Sequence, residues 1–290
     1  MKLRALLLVG AIAVTACGGE ADVAREPAPT STPTTASQIQ LPLTAYLATE
    51  DELELEQRAA FQAQVDCAAR FGVVMEPFPV DKSSIRAQMN IARRYGLIDK
   101  DEVAIHGYGF PPSAQGDQMR AAATPEQSRI DEVISGQDSS GKPSSMKDDK
   151  GEGIPEGGCG AEGFRLVRGD VDHDYDSLPK QLLEQARQLM LADADYVEVE
   201  KDWAACMERS GYDFEHPYEA GNSVGDADNE TQRRMAMRDV DCALEVNLPG
   251  RAMAIDAGYQ LSLIQENEAQ LRSALEAKRE IMDNVKSVLN

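Results

Sequence analysis

Five cysteines, three histidines and one run of alternating aspartates are the residues whose types or spacing could carry chemistry in this chain. Asp170, Asp172, Asp174 and Asp176 stand at every second position, as the oxygen ligands do at the start of a helix–loop–helix calcium loop. The pattern then fails, because Tyr175 stands where the sharp turn needs glycine and Gln181 where a bidentate glutamate closes the shell. A solvated acidic loop is the expected reading, with no metal site assigned and these four aspartates as a weak calcium candidate. His106, His173 and His216 have no recognisable nucleophile context, and no Gly-x-Ser-x-Gly elbow is present. Nor is there a phosphate-cradling glycine loop or a dinucleotide fingerprint. Paired carboxylates are everywhere in so acidic a chain, so none marks a glycosidase. No catalytic residue and no cofactor is expected.

The hydrophobic spacing supplies a helical scaffold. Leu53, Gln57, Ala60, Phe61, Gln64, Val65, Ala68 and Phe71 fall at three- and four-residue steps, which predicts a helix from about Thr49 to Phe71, stopped by Gly72. Further helices are expected over Ser84–Tyr95, over Asp101–Ile105 and within Gln115–Ile134. Ser177–Ser210 reads as one long helix or two in succession, with Ser177 as N-cap and Pro179 in the first turn. A polar loop from His216 to Asn229 leads to a helix through Cys242, stopped by Pro249-Gly250. Arg251–Leu289 reads as a long amphipathic helix. Its stripe of Ile264, Leu271, Leu275, Met282, Val285 and Leu289 is expected to be an intramolecular core face, a coiled-coil seam being the alternative. Gly136–Gly158, rich in Ser, Gly, Lys and Asp, is expected to be a mobile loop. A faint internal echo runs through these elements. Cys67-Ala-Ala-Arg-Phe-Gly72 parallels Cys206-Met-Glu-Arg-Ser-Gly211, and Val65-Asp66-Cys67-Ala68 parallels Val240-Asp241-Cys242-Ala243.

At the N-terminus, Lys2 and Arg4 precede an apolar run from Leu6 to Val14 that is too short to span a bilayer. The run ends in Val14-Thr15-Ala16-Cys17, followed at once by Gly18-Gly19. This resembles the signal of bacterial lipoproteins. The resemblance implies that residues 1–16 are removed and that Cys17 carries a diacylglyceryl thioether, its thiol supplying the sulfur to which the lipid is joined. Residues 17–40, with Pro27, Pro29, Pro33 and several threonines, are expected to be an extended tether. Losing Lys2 and Arg4 with the leader changes 29 basic side chains to 27 against 50 acidic ones, so the net charge moves from −21 to −23. Such a balance argues against nucleic acid as a partner and against broad docking on anionic headgroups. With Cys17 assigned to lipid, Cys67, Cys159, Cys206 and Cys242 form an even set in an oxidising compartment. Four cysteines allow three pairings, among which sequence alone does not choose. Cys206–Cys242 is favoured, because both lie in predicted helices joined by one polar loop, and that choice leaves Cys67–Cys159. A zinc site competes poorly, for there is no CxxC pair and no histidine at ligand spacing.

One further set of motifs occurs in order: Arg94-Tyr95-Gly96-Leu97-Ile98-Asp99, Gly107-Tyr108, Gly158-Cys159, Trp203-x-x-Cys206-Met207 with Gly211-Tyr212, and Asp239-x-Asp241-Cys242. Together they resemble an uncharacterised family of actinobacterial secreted proteins and lipoproteins, over most of residues 60–270. That resemblance implies a helical, disulfide-linked extracytoplasmic domain and transfers no catalytic residue. The expected fold class is mostly α: a disulfide-stapled helical domain over 41–290 with a long C-terminal amphipathic helix. The expected role is non-enzymatic, as a lipoprotein on the outer face of the bacterial cytoplasmic membrane that binds or assists another envelope component, with the C-terminal helix as its partner face. An envelope hydrolase acting on wall polymer and a transporter-associated substrate-binding protein are the alternatives. Few β-rich runs are present to favour the second.

Overall fold

Thr49 accepts the Glu52 N–H through its hydroxyl, while the Glu52 carboxylate accepts the Thr49 N–H at 2.8 Å, so a capping box sets the start of the first helix. That helix, α1, spans Glu50–Arg70. The computed structural model describes residues 23–75, 93–109, 124–169, 175–225 and 229–290. Within them follow α2 (Lys100–His106), α3 (Pro125–Ser135), α4 (Gly158–Arg168), α5 (Ser177–Ala192), α6 (Ala194–Arg209), α7 (Pro217–Ser223), α8 (Asn229–Glu245), α9 (Leu248–Glu266) and α10 (Glu268–Leu289). The fold is mostly α, as the periodicity predicts.

Several boundaries depart from the sequence reading for identifiable reasons. The Ser177–Ser210 run takes the second of its two expected forms, two helices in succession, because Asp193 is extended at φ −72°, ψ 134° and its side chain accepts the Asp195 N–H at the start of α6. The cap position of α5 is Asp176 rather than Ser177. The single helix expected over Arg251–Leu289 is also two. Asn267 breaks it at φ −115°, ψ 19°, and its amide donates back to the Leu263 carbonyl at 2.8 Å. The polar loop after His216 contains α7, and most of the helix expected over Ser84–Tyr95 lies outside the described residues.

α5, α6, α8 and α9 enclose the main core around Trp203, Met207, Leu248 and Leu263. α1 packs against α4 and α10, burying Ala59, Val167, Ile281 and Val285. Of the predicted stripe, Leu271 and Val285 are buried and Met282 packs beside Val285, with Ile281 joining them, whereas Leu289 is exposed, so the face is intramolecular over most but not all of its length.

Both favoured cysteine pairs are present, Cys67–Cys159 between α1 and α4 and Cys206–Cys242 between α6 and α8, each with a Cα–Cα distance of 5.6 Å. The echo around the cysteines is structural. Arg70, three residues after Cys67, pairs at 2.7 Å with Glu162, three after Cys159. Arg209, three after Cys206, pairs at 2.7 Å with Glu245, three after Cys242. The helix ends also match: Val73 N–H reaches back to the Ala68 carbonyl as Tyr212 N–H does to Met207, through Gly72 and Gly211 at positive φ. The match of Val65–Ala68 with Val240–Ala243 relates opposite members of these two pairs, so it is not part of this repeat.

Residues 136–158, expected to be a mobile loop, form two small hairpins ten residues apart. Asp138 accepts the N–H groups of Ser140 and Lys142, and Asp148 those of Lys150 and Glu152. The backbone pairs Gln137 with Pro143 and Lys147 with Gly153. Polar composition here builds Asx turns that satisfy their own backbone.

The expected tether over 17–40 also differs, since from Val23 onward the chain is packed along α9. Glu26 N–H donates to the Gly258 carbonyl at 3.2 Å, Ser262 donates to the Ala24 carbonyl, and Asn247 to the Ser31 carbonyl at 2.9 Å. Arg25 pairs with Asp193 and Asp195 at 3.0 and 2.5 Å. The contact is backbone on helix. A Cβ on Gly250 would overlap the Ser31 carbonyl, and one on Gly258 the Glu26 carbonyl. Beyond this strap, Ile39, Leu41 and Leu43 enter the main core.

The two disulfides close loops of 36 and 92 residues of sequence separation, for which chain entropy predicts stabilisation of about 4 and about 5 kcal/mol. The protein purified without reductant should show no free thiol among these four cysteines, and the Cys206→Ala/Cys242→Ala double variant should lose several kcal/mol in a denaturant titration. A loss under about 1 kcal/mol would contradict a structural role for this bond.

Candidate functional site

Arg94, Tyr95, Tyr108 and Trp203 converge on two buried carboxylates, Asp256 and Asp239. Asp256, on α9, is fully buried and accepts from Arg94 Nε at 2.5 Å, Tyr95 Oη at 2.6 Å and Gln260 Nε2 at 2.8 Å. Arg94 also donates to the Leu183 carbonyl on α5 at 2.5 Å, and Gln260 Oε1 accepts the Leu43 N–H at 3.1 Å. Every member has its partner, so the cluster reads as a junction between elements rather than a reactive centre.

Asp239, on α8, receives Trp203 Nε1–H at 2.9 Å and Tyr108 Oη–H at 3.0 Å. Gly107-Tyr108, Trp203 and Asp239, far apart in sequence, thus meet at one point. Burial pushes the Asp239 carboxyl up to about 6, and the two hydrogen bonds, which favour the charged form, only partly oppose it. Asp241, two residues on, points instead to Lys100 at 2.5 Å.

A groove of about 450 Å³ lies along the outer face of α6. Val197, Ala204, Ala205 and Phe214 are its apolar lining, and Glu200, Lys201, Glu208, Asp213, Glu215 and His216 its polar lining. Glu200 is buried and meets His216 Nδ1 at 3.1 Å, and burial, with the Glu200 carboxylate nearby, holds the Tyr196 phenol well above its usual range. The His216 ring stacks on Tyr218 with centroids 5.3 Å apart. A histidine oriented by a carboxylate is half of a general-base arrangement, but the lining holds no serine, threonine or cysteine to serve as nucleophile. A mixed apolar and polar lining suits binding.

The remaining candidates are placed as follows. Cys17, His173 and three of the four weak metal candidates, Asp170, Asp172 and Asp174, lie outside the described residues. Asp176 is buried at the start of α5 and pairs with Lys180 at 2.8 Å. No group of His, Cys, Asp and Glu among the described residues could hold a metal ion. His106 ends α2, away from the groove lining. Sequence reasoning missed Asp256 and Gln260. Their signal was two polar residues one helical turn apart within the apolar stretch Leu248–Leu263. The chain matches no protein-family model, no curated protein sequence and no solved structure.

A carboxyl whose pKa rises from its ordinary value to about 6 on folding binds its proton more tightly in the folded state. Its contribution to stability is therefore full below about pH 4 and is lost as pH rises through about 6. Asp239→Asn should remove that slope. Unfolding free energies measured between pH 4 and 7 should be flatter for the variant by about 2–3 kcal/mol over the range. Parallel curves for the two proteins would contradict the assignment.

Proposed function

We propose that this chain is a membrane-anchored extracytoplasmic lipoprotein, a non-enzymatic binding or accessory protein of the bacterial cell envelope. The observation that carries the reading is Cys17, placed directly after an apolar leader and Val14-Thr15-Ala16. Two disulfides agree with an oxidising compartment. No helix of the described residues is long and apolar enough to cross a membrane, and a lipid on Cys17 would supply the attachment.

The groove along α6 is the proposed ligand face. The C-terminal helix, expected as the partner face, spends its apolar stripe on α1 and α4, and a partner there would meet its exposed polar side, around Arg272, Glu276 and Glu280. The acidic balance of the chain continues to speak against nucleic acid as a partner.

Intact mass of the membrane-extracted protein should show a chain beginning at Cys17 with acyl mass added, and Cys17→Ser should move the protein to the soluble fraction. Unlipidated wild type in that soluble fraction would overturn the proposal.

A further inference from the structure

We infer that the strap turns the anchor into a short leash, holding the body against the bilayer with the α5–α6 corner and the C-terminal end of α9 facing the lipid. The inference rests on the lipid-anchored reading of Cys17. A free tether of residues 18–40 would reach about 80 Å when extended. The strap removes most of that length, because the chain is bound to α9 from Val23 and Ala24 onward. Only residues 17–22 separate the lipidated sulfur from the first docked residue, a reach of about 20 Å at most.

The direction of the strap sets which end is near. Ala24 meets Ser262, Glu26 meets Gly258, and Ser31 meets Asn247, so the strap runs antiparallel to α9 from its C-terminal end. At that end Arg25 clasps Asp193 and Asp195 where α5 turns into α6. α6 runs opposite to α9, as the Tyr259–Asp193 bond at 2.8 Å and the Arg251–Asp202 pair at 2.6 Å together show, and its own C-terminal end with the Cys206–Cys242 bond is carried away from the anchor. The leash is fastened through backbone contacts that need Gly250 and Gly258, so its slack depends on two residues more than 200 positions downstream. A partner of this protein then has to present itself near the membrane surface, within the height of one domain.

The test uses the full lipidated chain in phosphatidylcholine vesicles that carry an energy acceptor on the headgroup. Gln265→Cys and Glu208→Cys each carry a donor dye, the first near the proposed anchor end and the second at the far end of α6. Transfer from the Gln265 site should be roughly three times that from the Glu208 site, the two ends lying about 20 Å apart along the helices. Gly258→Val, which drives a side chain into the Glu26 carbonyl, should bring the two values together. An insertion of about twenty Gly and Ser residues between Gly19 and Glu20, which leaves the body untouched and adds about 25 Å of mean reach, should do the same. Equal transfer from both sites in vesicle-bound wild type, or a difference that survives the insertion, would overturn the short leash while leaving the lipid in place. Wild type that stays off the vesicles, as Cys17→Ser should, would overturn the lipid reading itself.

Discussion

The fold turns on one carboxylate with no access to water. Asp256 sits inside α9 and is met from three sides by Arg94, Tyr95 and Gln260. Two of those residues reach further: Arg94 to the backbone of α5, and Gln260 to the backbone of the N-terminal segment at Leu43. A buried pair of this kind adds little over well-packed apolar residues, but removing one partner leaves a charge stranded in the interior, at a cost of about 3–5 kcal/mol. Its value here is in registry, because a single geometry satisfies all donors and acceptors at once. That geometry brings residues 41–47, the Arg94–Tyr95 turn, α5 and α9 to one place.

Around this junction the chain repeats one device. A cysteine near the end of one helix bonds a cysteine on a second, and an arginine and a glutamate three residues beyond each close over the bond. The ion pairs are largely exposed and contribute little by themselves. The covalent links carry the weight, one in each of the two helix groups, and they leave α10 to join the first group to the second.

Helix content and the favoured Cys206–Cys242 pair were legible because they are local or follow from counting. Period and the stop at Gly72 mark α1, period and the Pro179 start mark α5, and an even cysteine set with one polar loop favours the α6–α8 bond. The strap was not legible. Pro, Thr and Ser over residues 27–37 read as solvated linker, and the sites that receive it, Gly250, Gly258 and Ser262, lie far downstream in sequence. The break at Asn267 was hidden for a different reason: the hydrophobic period continues across it, and only a side chain bonding its own backbone interrupts the helix. Of the candidate site, the Trp203 and Tyr108 motifs could be seen but not their meeting at Asp239, which needs the tertiary fold. The groove beside His216 had no signal beyond a histidine flanked by acid and proline.

Taken together, the buried junction and the strap make the N-terminal segment part of the folded body, and the proposed anchor a close one. Amide hydrogen exchange of the full chain tests this most directly, at the N–H groups of Glu26 and Leu43, which donate to Gly258 and Gln260. Both should be protected together with the amides of α9, and Asp256→Ala should release them first. Exchange at the open-chain rate for Glu26 and Leu43 in the wild type, with α9 still protected, would contradict the account.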